Sequence, residues 1–405
     1  CVNMKRLLRI SFDLSLLSFI PIISWFLLGI IVDENLINIF TLTYPLQYIY
    51  YIIRSIFSTG ASISKEKDNN EGTVMSGLVV GTFIAIIIFT IILFNVNNYI
   101  KFMNMDVGIY RTFTIYSIIQ LFITLVFSMI QNKLYYEGKN KIANKNSLIF
   151  NLLNFILLIG TSLITKNQVI IVIATLIPLA LFTLYIYIDN SSKFKFTVNL
   201  FKWIRYDSAE LFNNFAYLII FLFGLSNTLE YGEVYALAIT FVALITDTQW
   251  DTADAMVVAA NIDISKNEFN YNEHINNAYK LLSILFSTSL VMFGILYWFY
   301  DLDIRITIIY FSFEIINFLL YPMYRLKICY LQLEYSALKT TSNKVIASIL
   351  RIGMSLIDSP FCTGLGQVCS SIYQFITVNV MFYLNYRIDK NGNVIRKYKK
   401  NAILS

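Results

Sequence analysis

The sequence predicts an all-α polytopic membrane protein of twelve transmembrane helices in two six-helix lobes related by a pseudo-two-fold repeat. Three observations carry that prediction: a composition too apolar for water, twelve apolar runs of membrane-spanning length, and a strict alternation of basic residues between their connections. The 405 residues are 57% hydrophobic and only 14% charged. Soluble domains run near 25% charged. Five prolines and fifteen glycines exclude a collagenous or low-complexity chain. Cys1, Cys329, Cys362 and Cys369 form no CxxC pair, and His274 is the sole histidine. Neither a disulfide framework nor a zinc site is therefore expected.

A hydrocarbon core about 30 Å thick asks for roughly 20 apolar residues per helix. Such runs fall at 7–31, 36–59, 74–95, 107–131, 147–165, 168–188, 208–229, 234–260, 278–299, 304–326, 344–358 and 362–386. The basic opening MKRLLRISFDLSLLSF continues into the first run without a small-residue cleavage site, so it reads as a span rather than a signal. Met4 is a candidate native start, after Cys-Val-Asn. With both ends cytoplasmic, the outside connections hold only Lys101, Arg111, Lys166 and Arg305. Arg54 and Arg351 lie inside spans, and every other one of the 31 basic residues falls on the inside. That is the asymmetry expected of a correctly counted topology. The net charge of +6 is thus topological, and its scatter over many segments excludes a nucleic-acid surface.

The two halves echo each other. The segments LYYEGKNKIANKNSLI and LQLEYSALKTTSNKVI align Glu137 with Glu334, and Tyr116-x-x-x-Gln120 aligns with Tyr310-x-x-x-Glu314. All these pairs lie roughly 195 residues apart, as a duplicated six-helix unit requires. The expected organisation is an N-terminal lobe over 1–188, a cytoplasmic linker over 189–206, a C-terminal lobe over 207–388 and a basic tail over 389–405.

Four acids stand out in apolar surroundings, where each costs roughly 2.5–3.5 kcal/mol at bilayer centre. Asp247, Asp251 and Asp254 in TDTQWDTADA share one helical face, unless the eighth span ends near Asp247 and leaves the rest in water. Glu314 sits in IRITIIYFSFEIINFLLYPMY with Tyr310 one turn earlier, so the hydroxyl is expected to donate to the carboxylate; a structural pairing across helices is the other option. Asp13, toward the inner end of the first span, is expected to face water.

Here the chain resembles the multidrug and toxic compound extrusion (MATE) family. The likeness runs through most of the sequence and rests on the 6+6 layout and three short marks. These are STGASISKEKDNNEGTVMSG (58–77), YYEGKNKIANKNSLIFNLLN (135–154) and TGLGQVCSSIYQF (363–375). The resemblance implies no enzyme and no cofactor, but an alternating-access exporter driven by Na⁺ or H⁺ and working as a monomer in the cell membrane. The Tyr-x-x-x-acid pattern resembles the tenth-helix cation site of the family's sodium-driven branch. Cation coupling is accordingly expected at Glu314, Tyr310, Asp247, Asp251 and Asn214, with transient Na⁺ at Glu314. Asn214 stands near the family's seventh-helix Glu. The substrate cavity is expected at Asp254, Trp250, Asn154, Gln120 and Tyr116, favouring small amphipathic cations. Asn154 keeps the family's fifth-helix Asn, but Leu158 replaces the acid expected after it, and Ser24 and Trp25 replace the first-helix acid. The N-terminal lobe therefore looks stripped of carboxylates. A flippase for lipid-linked saccharides and a non-transporting membrane protein that keeps the fold are the alternatives.

Overall fold

The computed structural model describes residues 4–33, 36, 39–68, 72–103, 105–191, 195–299 and 303–397. Its helices follow the apolar runs in order. They are α1 (Met4–Ile31), α2 (Ile39–Arg54), α3 (Ala61–Asp68), α4 (Gly72–Phe94), α5 (Val96–Phe102), α6 (Val107–Tyr136) and α7 (Asn140–Ile164). The second half continues with α8 (Gln168–Asp189), α9 (Leu200–Glu230), α10 (Glu233–Ser265), α11 (Tyr271–Phe299), α12 (Ile304–Glu334), α13 (Ala337–Ser355) and α14 (Cys362–Asn385). Six of these, α1, α4, α6, α7, α8 and α12, are by length and composition apolar enough to cross a membrane.

Side-chain caps fix where several of these helices begin. Asp106, Asn167, Asp303 and Ser336 accept from backbone N–H groups at the starts of α6, α8, α12 and α13, satisfying donors the helix cannot. At the end of α6, Gly138 takes the left-handed conformation (φ 75°) that favours glycine. Lys139 and Lys133 pair with Glu137 beside it.

The eighth run belongs to one helix, α10, unbroken through Ser265. One reading of the sequence is corrected here. Arg325, Lys327 and Lys344, counted as loop charges, are buried within α12 and α13. After α14, β1 (Tyr386–Ile388) and β2 (Val394–Arg396) form an antiparallel ribbon.

The chain divides into two compact units, one of residues 12–226 and one of residues 1–11 with 227–405. That division falls one helix later than the 189–206 joint, because α9 packs with the first unit. In that unit α6 is the central helix, touching α2, α4, α5, α7 and α8. A π-helical turn (Ser55–Gly60) widens the rod between α2 and α3. It is pressed close on both sides by small residues. A Cβ on Gly60 would meet the Trp203 carbonyl oxygen at 2.2 Å, and one on Gly77 the Phe57 carbonyl oxygen at 2.3 Å. This gives the Gly-rich 58–77 stretch a physical role, since only glycine lets backbones approach so closely. Asp207 breaks the helical dihedrals of α9 (φ −128°, ψ 24°) and accepts from Ser55 Oγ at 2.5 Å. In the second unit α12 touches α10, α11, α13 and α14. The ribbon residues Ile388 and Val394 pack on a cluster of Ala260, Ile264, Tyr271, Leu326 and Cys329.

Candidate functional site

The site that geometry assembles lies in the second unit, around Glu314 on α12. Two helices send N–H donors to one oxygen of this carboxylate: Trp250 Nε1 of α10 at 2.9 Å and Gln367 Nε2 of α14 at 3.1 Å, both to Oε2. Arg351 of α13 stands behind, buried, with a long contact of 3.4 Å from Nη2 to Gln367 Oε1. One level along, the polarity between α10 and α12 reverses, as Tyr321 OH donates to Asp254 Oδ1 at 2.9 Å. Between the two rungs the Trp250 ring stacks on Phe318 (centroids 4.2 Å apart, planes 4° apart) and meets Tyr321 edge-on. Glu314, Trp250, Asp254, Tyr321 and Gln367 are all half-buried, so this polar strip keeps accessible surface while Arg351 does not.

The TGLGQ mark is what brings α14 so near. A Cβ on Gly364 would lie 2.2 Å from the Phe313 ring, and one on Gly366 would lie 2.8 Å from the Arg351 carbonyl oxygen. Both glycines leave room that a side chain would fill, and Gln367 follows directly. Arg351 stood out as a charge inside a span, but Gln367 carried no signal of its own beyond standing in that mark.

Tyr310 does not bond Glu314. Its hydroxyl donates to the Pro360 carbonyl at 2.5 Å, and its ring packs on Phe361. The reason is direction: the connection between α13 and α14 offers a carbonyl near the N-terminal end of α12, away from Glu314. Asp247 and Asp251 belong to α10, but their side chains lie outside the described residues. Asn214 is buried in the other unit, with Asn213 beside it donating to Glu210 Oε1 at 3.2 Å.

In the unit of residues 12–226, Tyr116 and Asn154 do meet. Tyr116 OH donates to Asn154 Oδ1 at 3.1 Å in a fully buried setting, and Trp25 and Phe113 pack edge-on against Tyr116. Gln120, one turn on, is half-buried and outside that pair. An aromatic ring thus fills the place where a first-helix acid was sought. Asp13, however, is not water-facing. It is 1% exposed and accepts from Asn144 Nδ2 at 2.5 Å. The unit therefore keeps a buried carboxylate, but near the start of α1 rather than at the Ser24–Trp25 position where the acid was sought.

A third cluster went unforeseen. Asp263, in the last turn of α10, receives Arg6 from the first turns of α1 and faces His274 Nε2 at 3.1 Å on its other oxygen. Burial pushes the Asp263 carboxyl up, but the bonds from His274 and Arg6 outweigh it and hold the group below its ordinary value. Lys327 is also buried, donating to Asn379 Oδ1 at 2.5 Å and Tyr383 OH at 3.3 Å, with its ammonium over the rings of Tyr271, Phe382 and Tyr383. Among the described residues no group of His, Cys, Asp and Glu could hold a metal ion.

No protein-family model matches the sequence, and no characterised protein matches it by sequence. Solved structures do match. A proline-to-alanine variant of a MATE transporter superposes with a TM-score of 0.70 at 14% identity, over 93% of this chain and 96% of that one. An outward-facing multidrug resistance MATE family transporter of the MOP superfamily gives 0.68 at 14%, over 93% and 94%. A MOP superfamily transporter from Pyrococcus furiosus, described with a reversed polarity of its binding pocket, gives 0.65 at 14%, over 93% and 95%. The chain is an all-α polytopic membrane protein with the MATE fold.

Proposed function

We propose that the protein is a proton-coupled exporter of small amphipathic cations in the MOP superfamily, a transporter and not an enzyme. The fold supports the transporter, and Glu314 carries the coupling. It is the acid that three helices of one unit converge on: two hydrogen-bond to it directly, and a third backs it with Arg351. The groups aimed at Glu314 are N–H donors, which cannot ligate a metal ion, so this site suits a proton better than Na⁺. Protonating Glu314 weakens the bonds from Trp250 and Gln367, which frees α10 and α14 from α12; that is the differential contact a coupled cycle needs. The stacked Trp250–Phe318 pair beside Asp254 and Tyr321 supplies an acidic aromatic strip for an organic cation. A proton entering down a 100 mV potential supplies about 2.3 kcal/mol per charge. The distribution of basic residues supports a multi-pass protein with both termini cytoplasmic, and nothing in the proposed cycle requires more than a monomer.

The test is efflux of a fluorescent organic cation from proteoliposomes under a proton gradient, for wild type and the variants Glu314→Gln and Asp254→Asn. Gradient-driven efflux is expected in wild type and lost in Glu314→Gln. Flux that ignores the gradient, or a Glu314→Gln variant equal to wild type, sinks the reading. One observation favours a second reading, an anionic lipid-linked substrate. Among the described residues Lys327 is a buried cation bonded to an amide and a phenol rather than a carboxylate, and Lys344 is held by Gln374 at 2.9 Å. Flipping of a phosphate-bearing lipid analogue in the same vesicles, with the organic cation left behind, would select it.

A further inference from the structure

Residues 195–206 join the two halves of the sequence, and they are built as a fixed surface rather than a slack tether. Between Asp189 and Asp207 the chain carries Lys193, Lys195, Lys202 and Arg205 and no acid. The backbone is pinned along its length. Thr197 N–H donates to Ser76 Oγ of α4 at 2.8 Å. A Cβ on Gly72 would meet the Lys195 carbonyl oxygen at 2.1 Å, as one on Gly60 would meet that of Trp203. Asn199 Oδ1 accepts from Lys202 N–H at 3.2 Å and caps the first turn of α9. Trp203 is fully buried, edge-on to Phe57, and Ser55 holds Asp207 at the break in α9.

What these pins leave outward is apolar. Phe196 and Phe201 are 59% and 78% exposed, with Val198 and Leu200 exposed beside them. Arg205 stands one helical turn from Phe201, opposite the buried Trp203, and it and Lys195 are exposed too. The apolar run of 208–229 follows directly, so this surface lies where a membrane-spanning helix leaves the hydrocarbon. Exposed phenylalanines flanked by cations, with no acid among them, are the composition of a segment that rests in the headgroup boundary.

We propose that residues 195–206 form a docking surface for anionic phospholipid. Phe196, Val198, Leu200 and Phe201 enter the upper acyl chains, while Lys195 and Arg205 meet the headgroup phosphates. Each Lys or Arg near an anionic surface strengthens attachment about fivefold. Because the backbone is already fixed, lipid binding loses little ordering entropy. The surface lies within the unit of residues 12–226 and depends neither on Glu314 nor on what is transported.

The experiment is thermal unfolding of the purified full chain in a neutral detergent, titrated with phosphatidylglycerol or phosphatidylcholine in the micelles. A lipid that binds the folded state raises the melting temperature with concentration. In wild type, phosphatidylglycerol is expected to act at a lower mole fraction than phosphatidylcholine. The double variant Lys195→Gln, Arg205→Gln should shift the phosphatidylglycerol midpoint up by about tenfold or more. Phe201→Ser should weaken the response to both lipids. Lys141→Gln with Lys145→Gln, an exposed basic pair on α7, should keep the preference. A wild type that responds equally to the two lipids overturns the proposal, as does a preference that survives in Lys195→Gln, Arg205→Gln. An equal loss in the α7 pair would reduce the effect to overall charge and overturn it. A rise reproduced by inorganic phosphate would mark a free-anion site and overturn it too.

Discussion

Replacing Gly366 with alanine tests how closely α14 must approach α13 for the Glu314 site to form. The added Cβ would stand 2.8 Å from the Arg351 carbonyl oxygen, 3.3 Å from Met354 Cβ and 3.4 Å from Ser355 Oγ. The nearest of these atoms is backbone, so no rotamer relieves the clash. The helices must separate by roughly half an ångström to restore a normal contact. Overpacking of this kind costs about 1–3 kcal/mol. Alanine also gains about 1 kcal/mol over glycine in any helix interior. Gly353, on α13 and exposed with nothing within 4 Å, isolates that second effect. Gly353→Ala should raise the melting temperature, whereas Gly366→Ala should lower it or leave it flat. The gap between the two variants should be about 1–3 kcal/mol. The same displacement lengthens the 3.1 Å Gln367–Glu314 bond, so Gly366→Ala should lose gradient-driven transport more than Gly353→Ala does. Fluorescence-detected size-exclusion melting and the vesicle assay read both quantities. Equal stabilisation by the two substitutions would refute the close approach.

The Asp263 carboxyl titrates below its ordinary value in the folded state, so its contribution is complete above the unfolded carboxylate range and is lost as pH falls through the folded value. Melting temperature should hardly respond to this group between about pH 5 and 8, and should fall in stronger acid, below about pH 4. Asp263→Asn should cost about 1–3 kcal/mol at neutral pH and flatten the acid limb, read by melting in a pH series. Lys327 is a buried cation held by neutral partners, and such a group is often replaceable by an apolar one of similar shape. Lys327→Met should keep the melting temperature within about 1 kcal/mol of wild type, while Lys327→Ala should drop it by about 2 kcal/mol or more through lost packing.

Much of this fold is written in hydropathy. The apolar runs foretold the long helices because lipid forces the backbone to satisfy itself within each span. Their ends were less legible: α7, α9, α11 and α13 all begin seven or eight residues before their apolar runs, in polar segments that lipid does not select. The Trp250–Glu314–Gln367 arrangement was half legible. Glu314 stood out as a charge in an apolar run, but the donors that reach it come from α10 and α14, and partnership across helices has no local signal. Tyr310 shows the converse error. Spacing placed it one turn from Glu314, yet a carbonyl in another connection took its hydroxyl. Asp13 was misjudged because position along a span says nothing about what packs on it; Asn144, 131 residues away, decides its burial.

The pair between Arg6 and Asp263 links residues 257 apart in sequence. A ribosome adding about 5–20 residues per second needs on the order of 10–50 s to travel from one to the other. The first helix must therefore be inserted and oriented long before its opening turns have their final partner. During that interval Arg6 is held by little more than the charge bias that sets helix orientation. The N-terminal turns would then be the last part of α1 to settle, and a chain truncated before α10 should leave them open to a protease added on the side of the membrane that holds the N-terminus.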